Sequence, residues 1–448
     1  MTSASPPRWQ AGPLLAEPLP MTLRVYQKLT AGVAPLAPLL IKRRLKQGKE
    51  EASRVDERRG VAAHVRPHGP LVWIHGASVG EVLAAAGLIE RLRDLNLRIL
   101  LTSGTVTSAE IVAKRFPPDI IHQFIPYDAP RFVARFLDHW QPSLALFIES
   151  DLWPNLILAS AARRLPMVLI NGRMSPRSFP RWQRAAATIG TLLGKFDICL
   201  AQSQMDAERF SALGSPNVIT TGNLKMDVAP PPGDPARLER LMAVTRGRPV
   251  IVAASTHPGE EEVLLDVHRT LSGMFPTLLT VIVPRHPHRG EQIAQLVEAA
   301  GLQASLRSRE QLPTAATAIY VADTMGELGL FYRLAPIVFM GGSLIEHGGQ
   351  NPIEAVKLGA SIVHGPHVAN FSEVYRALDD AGGAFAAGDV ETLVRRFGQL
   401  LSDAPARQAS IDAATDVVDR LGGALDRTVT ALEPYLLQLQ IEQDAANA

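Results

Sequence analysis

Short apolar runs that end in glycine or small polar residues, each followed by a stretch with helical spacing, recur along nearly the whole chain. In the first half they occupy residues 71–74, 97–102, 123–126, 144–149, 167–171, 196–202 and 218–221, and in the second half 250–254, 278–283, 318–321, 336–340 and 361–364. Strands joined by helical crossovers pair in parallel, and parallel strands need both faces covered, so the pattern predicts α/β architecture with doubly wound sheets. The rhythm breaks once, at Asp227-Val-Ala-Pro-Pro-Pro-Gly-Asp-Pro235, which has four prolines in nine residues and reads as a linker over 227–236. At 448 residues the chain exceeds what one core supports, so two Rossmann-like domains are expected, 61–226 and 237–413. Helical spacing in the tail, 414–448, suggests a segment that packs back on the first domain.

A 46% hydrophobic and 20% charged composition suits buried strands, and a net charge of +1 gives no global reason to expect a nucleic-acid partner. The single cysteine, Cys199, excludes an internal disulfide framework and a cysteine zinc site. No His-Glu-x-x-His occurs, and His286 and His288, two apart between prolines, make only a weak metal pattern, so no metal is expected. Gly76-Ala-Ser-Val-Gly80 lacks the dinucleotide-binding glycine spacing, and no Walker A lysine motif is present.

Residues 1–60 differ from the rest. Positions 21–60 hold ten Lys or Arg against four acids, just after and around an apolar run, 29–41, that is too short to span a bilayer. One reading is a segment lying on an anionic membrane surface. The other is a solvated basic arm packed on the domain. The first twenty residues are Pro-rich and patternless.

Three places concentrate chemistry. The run 71–74, the small-residue turn 76–80 and a helix over 82–92 place Glu81 in a helical first turn at the carboxyl edge of a parallel sheet, where open α/β folds bind ligands. An ordinary βα loop with a solvated glutamate satisfies the same spacing. Gly341-Gly-Ser343 with Asn351-Pro-Ile-Glu354 reads as a glycine loop opening a helix, with Asn351 as cap and Pro352 in the first turn: a phosphate site, or simply a capping box closed by Glu354. Arg285, held between Pro284 and His286, and Lys225, at the end of the first half, suit phosphate or carboxylate or are surface charges. Elsewhere, Ser108 is the expected cap of a helix over 109–115. Two such halves with a phosphate loop in the second suggest a two-domain glycosyltransferase.

His75-Gly-Ala-Ser-Val-Gly-Glu81, Glu149-Ser-Asp-Leu-Trp-Pro-Asn155, Asn171-Gly-Arg-Met-Ser175, Gly222-Asn-Leu-Lys225, Ser255-Thr-His-Pro-Gly-Glu260, Pro284-Arg-His-Pro287, Met325-Gly-Glu327 and Gly348-Gly-Gln-Asn-Pro-Ile-Glu354, in this order, resemble the 3-deoxy-D-manno-octulosonic acid (Kdo) transferases of lipopolysaccharide synthesis. The resemblance spans roughly residues 20–435. It implies the GT-B fold, two Rossmann-like domains facing across a cleft, and an inverting transfer of Kdo from CMP-Kdo to the lipid A precursor. CMP-Kdo is then a substrate, with no cofactor and no metal. By the family's pattern Glu81 would be the general base, and Glu149 and Lys225 would stabilise the transition state. Pro284, Arg285, Met325, Gly326, Glu327, Asn351, Pro352, Ile353 and Glu354 would hold CMP, with Gly341, Gly342, Ser343, Ser255 and Thr256 counted in the same site. The basic segment would contact the cytoplasmic face of the inner membrane. One departure is visible: where the family has a second glutamate two residues after the first, this chain has the shorter Asp151, so Glu149 is the expected participant. A GT-B enzyme using a UDP-sugar, a transferase or 2-epimerase, and a peripheral membrane protein that merely holds a ligand are the competing readings.

Overall fold

The computed structural model of the protein describes residues 18–227 and 229–447, so residues 1–17 of the basic segment lie outside it. There are two compact units. One holds the described residues before Ala229 together with those from Gly422 onward; the other is Ala229–Leu421.

The first unit is built on seven parallel strands: β1 (Leu71–His75), β2 (Arg98–Ser103), β3 (Ile121–Phe124), β4 (Leu144–Ile148), β5 (Met167–Gly172), β6 (Ile198–Ala201) and β7 (Val218–Thr220). Their order is β3-β2-β1-β4-β5-β6-β7. Trp73 of β1 faces Leu100 of β2 on one side and Ala145 of β4 on the other. The winding therefore reverses between β1 and β4, and the loops leaving those two strands diverge into a crevice.

The strands are almost uniformly apolar because both faces are covered. Trp73, Phe147 and Leu169 pack with Phe136 and Trp140 of the helix Pro130–Trp140. On the other face Val72, Ile74 and Leu146 meet Leu88 and Leu92 and also Leu432, Tyr435 and Leu436 of the last helix, Ala424–Asn447. Each large side chain so buried contributes roughly 1.5–3 kcal/mol.

The chain passes from one unit to the other at different points than its composition suggests. Ala404–Leu421 belongs to the second unit, where Ser410 Oγ lies 2.7 Å from Ser361 Oγ, and only the helix beginning at Ala424 packs on the first. Asp227 caps that helix, accepting from the N–H groups of Gly423 (2.7 Å) and Leu425 (2.6 Å). The proline-rich stretch is not a free linker over its whole length. Pro231 O accepts from Arg333 Nη1 at 2.8 Å, and a Cβ at Gly329 would come within 2.2 Å of that same carbonyl oxygen, so the helix Leu328–Leu334 clamps it. Asp234 then caps the helix Pro235–Thr245.

The second unit repeats the plan with β8 (Val250–Thr256), β9 (Leu279–Pro284), β10 (Ala304–Leu306), β11 (Ile319–Val321), β12 (Ile337–Met340), β13 (Ser361–His364) and β14 (Ala384–Ala386). Its order, β10-β11-β9-β8-β12-β13-β14, puts the reversal between β8 and β12.

In the N-terminal segment, helices Met21–Val33 and Ala37–Lys46 flank a short turn, and Ala52–Arg59 forms a tighter helix. Part of the expected basic surface is turned inward. Arg58, 2% exposed, donates to Glu50 Oε2 (2.8 Å), Ile125 O (3.1 Å) and Gly104 O (2.7 Å), and Arg54 donates to both Glu57 oxygens. Leu23 joins the core, while Val25, Leu29, Val33, Leu36, Leu39 and Leu40 are exposed. No helix among the described residues is long and apolar enough to cross a membrane.

Candidate functional site

In the first unit the reversal point gathers Glu81, Glu149, Asp151 and Lys225. The helix carrying Glu81 is Val79–Ala84, which starts three residues earlier than the apolar spacing suggests and ends before a second helix, Ala86–Asp94. Ser78 is its cap: Ser78 Oγ accepts from Glu81 N at 3.4 Å and donates to Glu81 Oε1 at 2.8 Å. Glu81 Oε2 accepts from Ala77 N at 2.7 Å. Burial pushes the Glu81 carboxyl up; the bonds from Ser78 and Ala77 oppose this, and the carboxylates of Glu149 and Asp151 add to the rise, leaving it above the usual glutamate range.

Glu149 ends the strand run at φ +63°, a left-handed conformation that a non-glycine residue adopts only when its surroundings hold it there. Its Oε1 accepts from Lys225 Nζ at 2.6 Å. Lys225 is fixed from the other side, because Asn223 Oδ1 accepts its backbone N–H and Asn171 Oδ1 accepts that of Leu224 (2.9 Å). The three residues expected to carry the chemistry are thus brought to one edge, Glu81 by charge proximity to Glu149 and Lys225 by an ion pair.

Asp151 belongs to a network that sequence reasoning missed. His75 Nε2 lies 3.1 Å and Trp153 Nε1 2.9 Å from Asp151 Oδ2. An ionised carboxylate only accepts, so Nε2 donates this bond, and the ring's Nδ1 lies 3.0 Å from Thr102 Oγ1. Burial raises the Asp151 carboxyl, but the bond and charge of His75 and the bond from Trp153 outweigh it, so it rests below the usual aspartate range. Asn155, from the same motif, plays a different part: it is buried, and its Nδ2 donates to Asp128 O and to Thr30 Oγ1 (2.9 Å), docking the first helix. At the next loop, Thr105 rather than Ser108 is the cap, of the helix Val106–Arg115.

In the second unit the glycine loop after β12 does not present a row of open amides. The Glu260 carboxylate, 0% exposed, accepts from Gly342 N (2.7 Å), Ser343 N (3.0 Å), Leu344 N (3.0 Å) and His257 N (3.0 Å). Those donors, expected to face a phosphate, are held by a carboxylate of the chain itself. Gly341 is required for close approach, since a Cβ there would lie 2.5 Å from Ser255 O. Ser255 has φ +57°, and the buried Thr256 Oγ1 donates to Glu261 Oε1 at 2.8 Å. Glu261 in turn pairs with Arg289 at 2.7 Å.

Beside this loop the chain gathers arginine and histidine side chains. Arg285 is exposed, its backbone N–H tied to Thr256 O at 3.0 Å. The His257 ring lies 4.0 Å from that of His347 and 6.1 Å from that of His286. Burial, with the charges of His347, His286, Arg285 and Arg289, pushes His257 down to about 4. Pro352 caps a helix of only four residues, Ile353–Val356, and Asn351 Oδ1 accepts from Ile353 N at 3.1 Å, so helix-dipole attraction there is slight. Glu354 acts electrostatically on Tyr332.

Met325, Gly326 and Glu327 line a cavity of about 230 Å³ with Pro232, Asp234 and Arg237. Glu327 accepts from Arg307 Nε (3.0 Å) and Nη2 (2.8 Å), from Arg237 Nη1 (2.7 Å) and from Thr324 Oγ1, and the Arg307 bonds foremost pull its carboxyl down to about 2.

Two doubly wound parallel sheets, each with its polar loops at the reversal point, define the GT-B class of glycosyltransferase architecture. The crystal structure of a glycosyltransferase from Rickettsia africae shares this fold, with a TM-score of 0.55 at 13% identity over 83% of this chain and 99% of that one. A family model described as 3-deoxy-D-manno-octulosonic-acid transferase (kdotransferase) matches residues 53–228. A probable mitochondrial 3-deoxy-D-manno-octulosonic acid transferase of Arabidopsis thaliana is 37% identical over 90% of this chain and 93% of its own length. The corresponding transferase of Haemophilus influenzae is 36% identical over 84% and 89%. The chain belongs to the 3-deoxy-D-manno-octulosonic acid transferase family, glycosyltransferases of lipopolysaccharide biosynthesis.

Proposed function

We propose that the protein transfers Kdo from CMP-Kdo to a sugar hydroxyl of the lipid A precursor, with inversion and with Glu81 as general base. The observation that carries this reading is the Glu81 carboxyl, fixed by Ser78 and Ala77 at the reversal point and raised above the ordinary glutamate range by burial. A carboxyl raised in this direction takes a proton more readily than an ordinary carboxylate, and a base within hydrogen-bond reach of the hydroxyl contributes ~10²–10⁴ in rate. In the step, Glu81 takes the hydroxyl proton, the acceptor oxygen bonds to the anomeric carbon of Kdo, and the bond from that carbon to the phosphate oxygen breaks, its electron pair leaving with CMP. Glu149 faces the cationic character that develops on the sugar, and Lys225 balances charge beside it. Pro284, Arg285, Ser255, Thr256 and the Asn351–Glu354 stretch are assigned to CMP, as are Met325, Gly326 and Glu327. No metal is needed in this scheme.

The exposed apolar residues of the N-terminal helices, set among Lys28, Lys42, Arg43 and Lys46, support peripheral attachment to the inner membrane's cytoplasmic face. Replacing Leu29, Leu36 and Leu39 by Asn removes apolar contact without touching the core, and cosedimentation with anionic vesicles should fall several-fold; undiminished cosedimentation rejects the attachment. The reaction itself is tested by incubating the protein with CMP-Kdo and a tetraacylated lipid A precursor and weighing the product. A mass gain of one or more Kdo units is expected, and an unchanged acceptor with intact CMP-Kdo overturns the reading.

A further inference from the structure

Gly222, which opens the Gly222-Asn-Leu-Lys225 motif, stands at φ +93°, a conformation that strains any residue with a β-carbon, and a Cβ there would lie 2.8 Å from Arg427 Nη2. Gly423, at φ +75°, meets the same group from the other side: a Cβ on it would lie 2.9 Å from Arg427 Nη1. The Arg427 guanidinium therefore sits between two glycines, and a side chain at either one displaces it. From this seat it donates through Nε to Thr221 O (2.8 Å) and through Nη2 to Gly422 O (2.9 Å).

Arg427 is one of two ties on the loop that follows β7. Asp227, at the other end of that loop, accepts from Gly423 N and Leu425 N, so positions 221 and 227 are both fastened to residues 422–427 of the same unit. Between them the side chain of Leu224, 2% exposed, packs with Ala424 and Leu432 of the last helix. The loop has little means of holding itself. Its one regular element is the three-residue turn Leu224–Met226, and a helical turn that short is not stable alone. The sheet supplies Asn171 Oδ1 to Leu224 N and Ala201 O to Thr221 N. The start of the helix Ala424–Asn447 supplies the further ties at both ends, although Arg427 follows Thr221 by 206 positions.

What the loop presents is Lys225, whose Nζ donates to Glu149 Oε1 at 2.6 Å. A lysine stem has many rotamers, so its amine keeps to one oxygen only if the backbone beneath it is fixed. The ion pair cannot fix that backbone unaided, because its side chains are 29% and 18% exposed and such pairs contribute little.

We propose that Arg427 and Asp227 are positioning residues for Lys225: the start of the last helix, with Arg427 seated between Gly222 and Gly423, holds the loop so that Lys225 Nζ stays against Glu149 during transfer. This rests on the reading of Glu149 and Lys225 as the pair beside the reacting sugar. A displaced amine weakens stabilisation of the transition state and leaves the binding of both substrates as it was, so the loss falls on kcat.

The test places Arg427→Ala, and separately the bulkier Arg427→Gln, in the full-length protein and in its Lys225→Ala variant. Arg427 is exposed apart from its two bonds, so both substitutions should leave the chain folded. In the parent, kcat should fall ~10-fold or more while the KM values for CMP-Kdo and for acceptor stay within about twofold. With Lys225 already removed, the same substitution should cost less than about twofold, because the group it positions is gone. An equal proportional loss in both backgrounds marks a contact that is only structural and overturns the proposal, as does an unchanged kcat. Acetylation by acetic anhydride, read peptide by peptide in a mass spectrometer, needs no turnover. Lys225 should react at least ~3-fold faster in the Arg427 variants, with the exposed Lys114 unaltered. An unchanged rate at Lys225 overturns the proposal; a faster rate in a protein that transfers no Kdo keeps the positioning role and defeats the transfer reading alone.

Discussion

Glu81 and Glu260 occupy the same place in the two units. Each follows a glycine, each stands in the first turn of the helix after the first strand of its sheet, and each lies at the point where the winding reverses. Their surroundings make them opposites. Glu260 is fully buried and spends both oxygens on four backbone N–H groups, closing the glycine loop. Glu81 is half-buried, has one backbone and one hydroxyl partner, and is crowded by Glu149 and Asp151. A carboxylate whose two oxygens are both engaged by backbone donors is structural, because it has little accepting capacity left for a substrate. One that is buried with fewer donors, and has other carboxylates nearby, is raised and takes up a proton more readily.

The sharpest break of that comparison is Glu81→Gln. It should lower turnover by at least ~10²-fold, roughly 3 kcal/mol of barrier, while leaving CMP affinity unchanged. Stability should hold or rise. A raised carboxyl means the unfolded state binds fewer protons, so this group's contribution to stability falls as pH climbs above the ordinary glutamate value, and a neutral Gln relieves that. Near-normal turnover would remove Glu81 from the chemistry. Glu260→Ala should do the reverse: four amides lose their acceptor, at roughly 1–3 kcal/mol each before water intervenes, so denaturant unfolding should register a loss of about 3 kcal/mol or more. A variant as stable as the parent would show that the loop closes without it.

Glu327 supplies a third environment, a carboxylate between two arginines with its pKa pulled down to about 2. Its ion pairs contribute fully above the unfolded value of about 4.3 and are lost as pH falls through that value toward 2. Glu327→Gln should therefore cost roughly 1–2 kcal/mol at neutral pH and flatten the acid-unfolding curve below about pH 4.5. An acid-unfolding curve that keeps its parent's slope would mean that the pairs with Arg237 and Arg307 add nothing.

What the sequence disclosed follows the range of the forces involved. Twelve of the strands announced themselves as apolar runs because burial on both faces demands it, but β10 and β14 are three-residue edge strands of Ala-Ser-Leu and Ala-Phe-Ala, too short and too plain to stand out from helix or loop. The proline-rich break was visible; that Gly329 clamps Pro231 was not, since it depends on a contact 98 positions away. At the candidate site, Glu81, Glu149 and Lys225 were legible as motif residues. The His75–Asp151 bond joins positions 76 apart, and nothing local signals it. The capture of the glycine loop by Glu260 had one faint sign, the Gly-Glu pair at residues 80–81, 259–260, 290–291 and 326–327, which pattern alone could not assign to different jobs.

The smallest effect probes how far neighbouring charge sets Glu81 apart. Burial is the main cause of its raised carboxyl, with Glu149 and Asp151 adding lesser shares. Asp151→Asn removes one of those charges and keeps an acceptor for His75 and Trp153, so the acid limb of the kcat/KM profile, which marks the loss of the ionised base, should move down by only a few tenths of a pH unit. The rate on the plateau should fall by less than ~10-fold, the cost of a loosened His75 rather than of a lost base. A fall as deep as that of Glu81→Gln would instead place Asp151 in the proton transfer. An unmoved limb with an unchanged plateau would mean that burial alone raises Glu81, and the contrast with Glu260 would then rest on the number of donors around each carboxylate and not on the company of other acids.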